Sequence, residues 1–188
     1  MKRKSAIVRW VLPLAGMVIL SAVILMTTAA IRQNVWDSLE QPLSGLPSIA
    51  SYKSLGTEIS TLGTAVSKVE VGMNAAGETV AYRLETSVTG FNSEVPIQLA
   101  VTVSADGNAV RGIEVLSHKE TEYYGSRIKD ASFKERFVDR NLPLYLTGES
   151  GRGAHVDGLS GATISSKAVV NAVNTAADFV RTHIIKGE

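Results

Sequence analysis

The sequence predicts an α+β fold: an N-terminal single transmembrane helix followed by one extracytoplasmic domain of antiparallel sheet with flanking helices. Three observations carry this. An uncharged apolar run lies near the N-terminus, the middle of the chain repeats its apolar side chains every second residue between short turn signals, and the last section repeats them every third or fourth.

Taken in order, Lys2, Arg3, Lys4 and Arg9 precede any acidic residue, the first being Asp37, and the run Val11 to Ile31 contains no charge. At about 1.5 Å per residue that run reaches the ~30 Å of a hydrocarbon core. It is longer than the roughly 7–15 residues of a signal-peptide core, which favours a retained anchor over cleavage near Thr28-Ala29-Ala30. The basic cluster ahead of it predicts a cytoplasmic N-terminus and a body carried across the membrane. Trp36 to about Gly45, with Pro42 and Pro47, reads as a membrane-proximal linker. Apolar residues at Ile49, Tyr52, Leu55, Ile59, Leu62 and Val66 then predict a helix, weakened by Gly56 and Gly63.

The period next changes to two. Val80, Tyr82, Leu84, Thr86 and Val88 alternate with Ala81, Arg83, Glu85 and Ser87, and Ile97, Leu99, Val101 and Val103 alternate with Gln98, Ala100, Thr102 and Ser104. Asn74-Ala75-Ala76-Gly77 and Ala105-Asp106-Gly107-Asn108 have turn chemistry. Strands joined by such short turns must be antiparallel, because parallel pairs need long crossovers. A second helix is expected over Ala131 to Val138. A last helix carries the stripe Ala168, Val169, Ala172, Val173, Ala176, Val180 and Ile184.

Composition removes several function classes. With no cysteine, disulfides, thiolate metal sites and iron–sulfur ligation are excluded. Apart from the four N-terminal bases the chain holds 15 basic against 18 acidic residues, and no basic stripe suits a nucleic-acid backbone. The glycines from Gly148 to Gly161 fit no nucleotide template. Ala154-His155 stands where a phosphate loop needs Lys-Ser/Thr, and Val156 stands where a dinucleotide fingerprint needs its third glycine. Gly158-Leu159-Ser160-Gly161-Ala162 departs from a nucleophile elbow at its fifth position. His118, His155 and His183 sit in no partner motif and have no helical metal spacing, so neither catalytic nor metal-ligating residues are assigned.

What remains is a cluster of hydroxyls, Ser160, Thr163, Ser165 and Ser166, at the mouth of the last helix. Helix capping accounts for one of them, at about 1 kcal/mol. An anion site accounts for the surplus, because a helix start offers free N–H donors and the positive end of a dipole, and Gly161 and Ala162 leave room for close approach. The residues alone leave both accounts open.

Asp157-Gly158-Leu159-Ser160-Gly161-Ala162-Thr163-Ile164-Ser165-Ser166 resembles the D-x-x-S-G-A-T-x-[TS]-S signature of the covalent FMN-binding domain family. A second block, His118-Lys119-Glu120-Thr121-Glu122-Tyr123-Tyr124-Gly125-Ser126-Arg127-Ile128, resembles the family's H-K-E-T-P-G-L-G-D-K-I. The likeness covers roughly residues 69 to 184. The short length and single anchor resemble the branch formed by the G subunits of Rnf-type electron-transport complexes, related to the longer C subunits of sodium-pumping NADH:quinone reductases.

The resemblance implies FMN joined by a phosphodiester to Thr163, put there by a separate flavin transferase. It implies Asp157, Ser160, Gly161, Ala162, Ser165, Ser166, Glu120, Thr121 and Gly125 as cofactor-binding residues. Residues 1–9 become a cytoplasmic basic tail, 10–31 the transmembrane helix, 32–65 a membrane-proximal linker and helix, and 66–188 the FMN-binding domain. The chain would serve as an electron-transfer subunit in the inner (cytoplasmic) membrane, without an acid–base site of its own, beside other membrane subunits and with its C-terminal domain periplasmic. Lys119, Arg127 and Lys167 become candidates for favouring a reduced, anionic flavin. Glu122-Tyr123-Tyr124 replaces the family's Pro-Gly-Leu, which is expected to lose a rigid turn and to bring two aromatics near the flavin. The competing expectation is a non-redox membrane-anchored assembly or sensory domain whose hydroxyls cap a helix.

Overall fold

Alternation of apolar and polar side chains produces the central feature, a six-stranded antiparallel sheet in the order β1-β2-β3-β4-β5-β6. The computed structural model describes residues 47–55 and 65–187. Its strands are β1 (Ser51–Ser54), β2 (Val66–Met73), β3 (Thr79–Val88), β4 (Ile97–Ser104), β5 (Ala109–Ser117) and β6 (Arg140–Asn141). A separate parallel pair is formed by β7 (Leu144–Leu146) and β8 (Ala154–Val156). Among the described residues, two α-helices follow the expected order, the one-turn α1 (Ala131–Lys134), continued as 3₁₀ helix over Glu135–Phe137, and the long α2 (Thr163–Phe179), which ends in a π-helical turn over Val180–Ile185.

One face of the sheet is apolar and α2 packs on it. Leu84, Leu99, Val101 and Val103 are fully buried there, against Val169, Val173, Ala176 and Val180 of the helix segment. Phe133 and Phe137 close the side, with ring centroids 5.2 Å apart and nearly edge-to-face. The opposite face carries charge. Arg83 bridges Glu70 at 3.0 Å and Glu114 at 2.9 Å, and Lys68 reaches Glu70 at 2.9 Å. The register explains this ladder, since Glu70 pairs with Arg83, while Glu85, Ala100 and Glu114 lie in one row.

The helix expected from Ile49 to Val66 is corrected where the chain is described. Ser51–Ser54 is an edge strand paired with β2, Leu55 donates its N–H to the Val69 carbonyl, and Val66 opens β2. The remainder of that expected helix, residues 56–64, and the expected transmembrane helix over 10–31 lie outside the described residues. Among the described residues, no helix is long and apolar enough to cross a membrane.

Sheet pairing decides where the site forms. Val88 pairs with Ile97, and Gln98 with Ser117, so the β3–β4 connection and the segment leaving β5 emerge at the same end of the sheet. The Lys68 hydrogen bond, followed by Arg83, holds the Glu70 carboxyl below its ordinary value of 4.5. A lowered carboxyl pKa contributes stability that is present above the unfolded value and lost as pH falls through the folded one. Acid titration of the fold should therefore be shallower below pH 4.5 in Glu70→Gln than in the parent chain, measured by denaturant unfolding at stepped pH.

Candidate functional site

At that end of the sheet, three segments converge on a cleft of about 450 Å³. They are the β3–β4 connection with Phe91, the segment after β5 with Thr121, Tyr124 and Gly125, and the start of α2 from Gly161 to Ser165. Each segment is shaped by a local rule.

The approach to α2 is a tight turn, in which the Ala162 N–H donates to the Leu159 carbonyl at 3.0 Å and Gly161 takes φ +77° at the third position. A turn of this kind needs positive φ there, which glycine adopts without a steric penalty. Tyr124 also lies over Gly161, where an added Cβ would fall 2.8 Å from a ring carbon. The helix is capped by Ala162 with no side-chain hydrogen bond, so the capping account of the hydroxyl cluster does not hold. Ser166 is fully buried, accepting from the Leu159 N–H and donating to the Ala162 carbonyl, both at 2.9 Å. Ser165 is buried and donates to the Glu120 carboxylate. Thr163, the first helical residue, is exposed and lines the cleft.

Glu120 is buried behind the cleft. Besides the Ser165 hydroxyl, its carboxylate accepts the backbone N–H of Phe91 and of Asn92, each at 3.1 Å. A Cβ on Gly90 would overlap a Glu120 carboxylate oxygen, and one on Gly125 would lie 2.9 Å from the Glu120 Cβ, so both glycines make space for this side chain. The turn expected to be lost at Glu122-Tyr123 is retained. Tyr124 N–H donates to the Thr121 carbonyl at 3.3 Å, with Tyr123 at φ 64° in the position that glycine ordinarily fills. An exposed tyrosine tolerates this left-handed conformation at a cost of about 1–2 kcal/mol.

The structure thus brings Thr163, Gly161, Ala162, Ser165, Thr121 and Gly125 to one cleft, with Glu120 and Ser166 behind it. Asp157 and Ser160 stand outside the lining. The Asp157 side chain accepts from the Thr147 hydroxyl at 2.7 Å, and Arg136 straps the carbonyls of Asp157 and Gly158 at 2.8 and 3.2 Å. Lys167 turns away to Glu149 at 2.6 Å, beside a second, polar hollow, and that bond leads the causes that hold the Glu149 carboxyl below its ordinary value. Arg127 lies 3.8 Å from Asp130. His118 accepts the Glu120 N–H, His155 meets the Glu149 carbonyl, and His183 stacks on Phe179. Among the described residues, no group of side chains could hold a metal ion. Phe91, Asn92 and Arg136 are not legible in the sequence, because the Phe91 and Asn92 amides and the carbonyls that Arg136 grips are backbone groups that leave no side-chain signature.

Removing the Glu120 carboxylate leaves two backbone N–H groups and a buried hydroxyl without their acceptor. Glu120→Ala should cost at least about 1–3 kcal/mol, the penalty of one unsatisfied buried group. Hydrogen exchange at the Phe91 and Asn92 amides, which should accelerate, checks this alongside denaturant unfolding.

The FMN-binding domain family matches residues 90–178, the span that contains both converging loops and the start of α2. The G subunit of an ion-translocating oxidoreductase complex from Methanosarcina acetivorans is 36% identical over 136 residues, covering 72% of this chain and 70% of that protein. The G subunit of a proton-translocating ferredoxin:NAD(+) oxidoreductase complex from Clostridium ljungdahlii is 30% identical over 106 residues, covering 56% of each. The crystal structure of Shewanella oneidensis NqrC shares the fold, with a TM-score of 0.51 and 21% identity over 61% of this chain and 60% of that one. With the antiparallel sheet, the helix start and the cleft in place, the chain belongs to the family formed by the G subunits of ion-translocating oxidoreductase complexes.

Proposed function

We propose that the chain is a membrane-anchored flavoprotein subunit of an ion-translocating electron-transport complex, relaying electrons through FMN covalently attached to Thr163. One observation carries the reading. Ser165 and Ser166 are buried and engaged in internal hydrogen bonds, whereas Thr163 stands exposed in the cleft at the first turn of α2.

The site suits the group. About 450 Å³ falls within the usual range of small-molecule sites, and the lining combines aromatic rings with the Thr163 hydroxyl. A phosphodiester retains one negative charge, which the open N–H groups of the first turn would stabilise by about 0.3–1 kcal/mol. When bound, the flavin supplies the redox chemistry, and the protein sets its position and surroundings. Glu120 fixes the loops, Gly161 makes room for the Tyr124 ring, and Asp157 with Arg136 holds the segment that leads into the tether. A relay of this kind needs no general base of its own.

The uncharged run Val11 to Ile31 would hold the domain on the outer face of the inner membrane, near partner subunits embedded in the same bilayer. That run carries no ionisable residue, so ion movement belongs to those partners. The name of the Clostridium relative supports ferredoxin and NAD(+) as the ends of the electron path. A flavin transferase completes the subunit.

Co-expression with such a transferase, followed by denaturing electrophoresis under ultraviolet light, tests the assignment. The parent chain should give a fluorescent band that Thr163→Ala abolishes while keeping its circular dichroism. A dark parent chain beside a labelled control substrate, or a band that survives in Thr163→Ala, contradicts it.

A further inference from the structure

Large aromatic side chains seldom stand exposed without a reason when they gather around one cavity. Phe91 is 62% exposed and Tyr124 56% exposed, and both line the cleft that Thr163 opens into. They come from different loops, and the same carboxylate governs both. The Phe91 N–H is held directly by Glu120, while Tyr124 directly precedes Gly125, whose missing side chain leaves room for the Glu120 stem and the Ser165 hydroxyl. Gly161 completes the arrangement, since a ring carbon of Tyr124 lies only 2.8 Å from where a Cβ would be. The Tyr124 ring therefore rests against bare backbone beside the tether, and more than half of the residue is left uncovered.

We infer that Phe91 and Tyr124 form an aromatic clamp for a planar heteroaromatic ring, with Tyr124 the residue that stacks on the isoalloxazine of a flavin held at Thr163. This rests on the proposed attachment, but it can be tested apart from it. Two rings on loops fixed by one buried carboxylate define a slot for a flat apolar group, and ring-on-ring contact contributes beyond the area that it covers. Because Gly161 has no side chain, the Tyr124 ring can settle against the backbone beside the tether and itself form that wall of the slot. The neighbouring Tyr123 is 78% exposed and does not line the cleft, which makes it the natural control.

A stacked phenol quenches flavin fluorescence by donating an electron to the excited ring, and a phenylalanine does so far less. The full chain, unmodified, is titrated with riboflavin, which has the ring system but no phosphate to attach. The same chain matured with a flavin transferase is compared for emission and for intact mass. Tyr124→Leu should weaken riboflavin binding by about 2- to 12-fold and raise the emission of attached flavin severalfold. Tyr124→Phe should retain the affinity yet lose most of the quenching, and Tyr123→Leu should change neither. Equal emission and affinity in the parent chain and Tyr124→Leu, absence of riboflavin binding to the parent chain, or a response to Tyr123→Leu equal to that of Tyr124→Leu, overturns the clamp. Attachment without a Tyr124 effect removes the clamp and leaves the tether. Riboflavin binding that Tyr124→Leu weakens, on a chain that never acquires flavin mass, keeps the clamp and removes the tether.

Discussion

The functional end of this molecule depends on one buried carboxylate. Glu120 accepts the backbone N–H of Phe91 and Asn92 and the hydroxyl of Ser165, groups 29, 28 and 45 residues away in sequence. A carboxylate has lone-pair sites for several donors at once, which no single amide or hydroxyl could satisfy. Burying it is tolerable only because those donors are all present. Gly90 and Gly125 are the steric half of the same arrangement, since a side chain at Gly90 would overlap the carboxylate and one at Gly125 would crowd the Ser165 hydroxyl and the Glu120 stem. The Asn92 side chain adds a second tie between the two loops, donating to the Lys119 carbonyl at 3.0 Å, but it is Glu120 that joins both loops to the Ser165 hydroxyl of the helix start.

The rest of the fold supplies a rigid base for this junction. The sheet buries one apolar face beneath α2 and presents a charged ladder on the other, and its register delivers two loops to one end. Thr163 belongs to a regular helix whose Val169, Val173 and Ala176 are fully buried, so the exposed hydroxyl has a fixed origin. That division suits a relay. Electron transfer asks for a positioned cofactor, and placement comes from elements whose cores are closed, while the surrounding loops supply contact.

How much can be read in advance depends on how local the cause is. β3 and β4 are legible because one face of each is buried and the apolar period is two. β1 reads as helix instead, since all four residues are exposed, which leaves no alternation, and Ile49, Tyr52 and Leu55 happen to fall at helical spacing. β2 compounds this, because its buried residues Val66, Val69 and Gly72 fall three apart: a bulge between Val66 and Lys68 sets the first step, and Gly72 is covered on the other face by Ile49 and Tyr52. β7 and β8, of three residues each, are too short to show any period. At the site, the S-G-A-T stretch is visible in the sequence, but the turn at Thr121 to Tyr124 is expected to disappear with its proline and glycine. It persists because Tyr123 accepts the left-handed conformation while exposed. Glu120 reads as a cofactor neighbour, and its deeper role as a junction is invisible, because two of its three donors are backbone amides.

The proposed function rests on the Thr163 hydroxyl as the attachment point for a flavin in this cleft. The most direct measurement is peptide mass spectrometry of the mature chain isolated from its source cells. The account predicts that the peptide containing Thr163 is heavier by one FMN less one water, with fragmentation placing the mass on that residue. A bare peptide, or the same mass on a different residue, contradicts it.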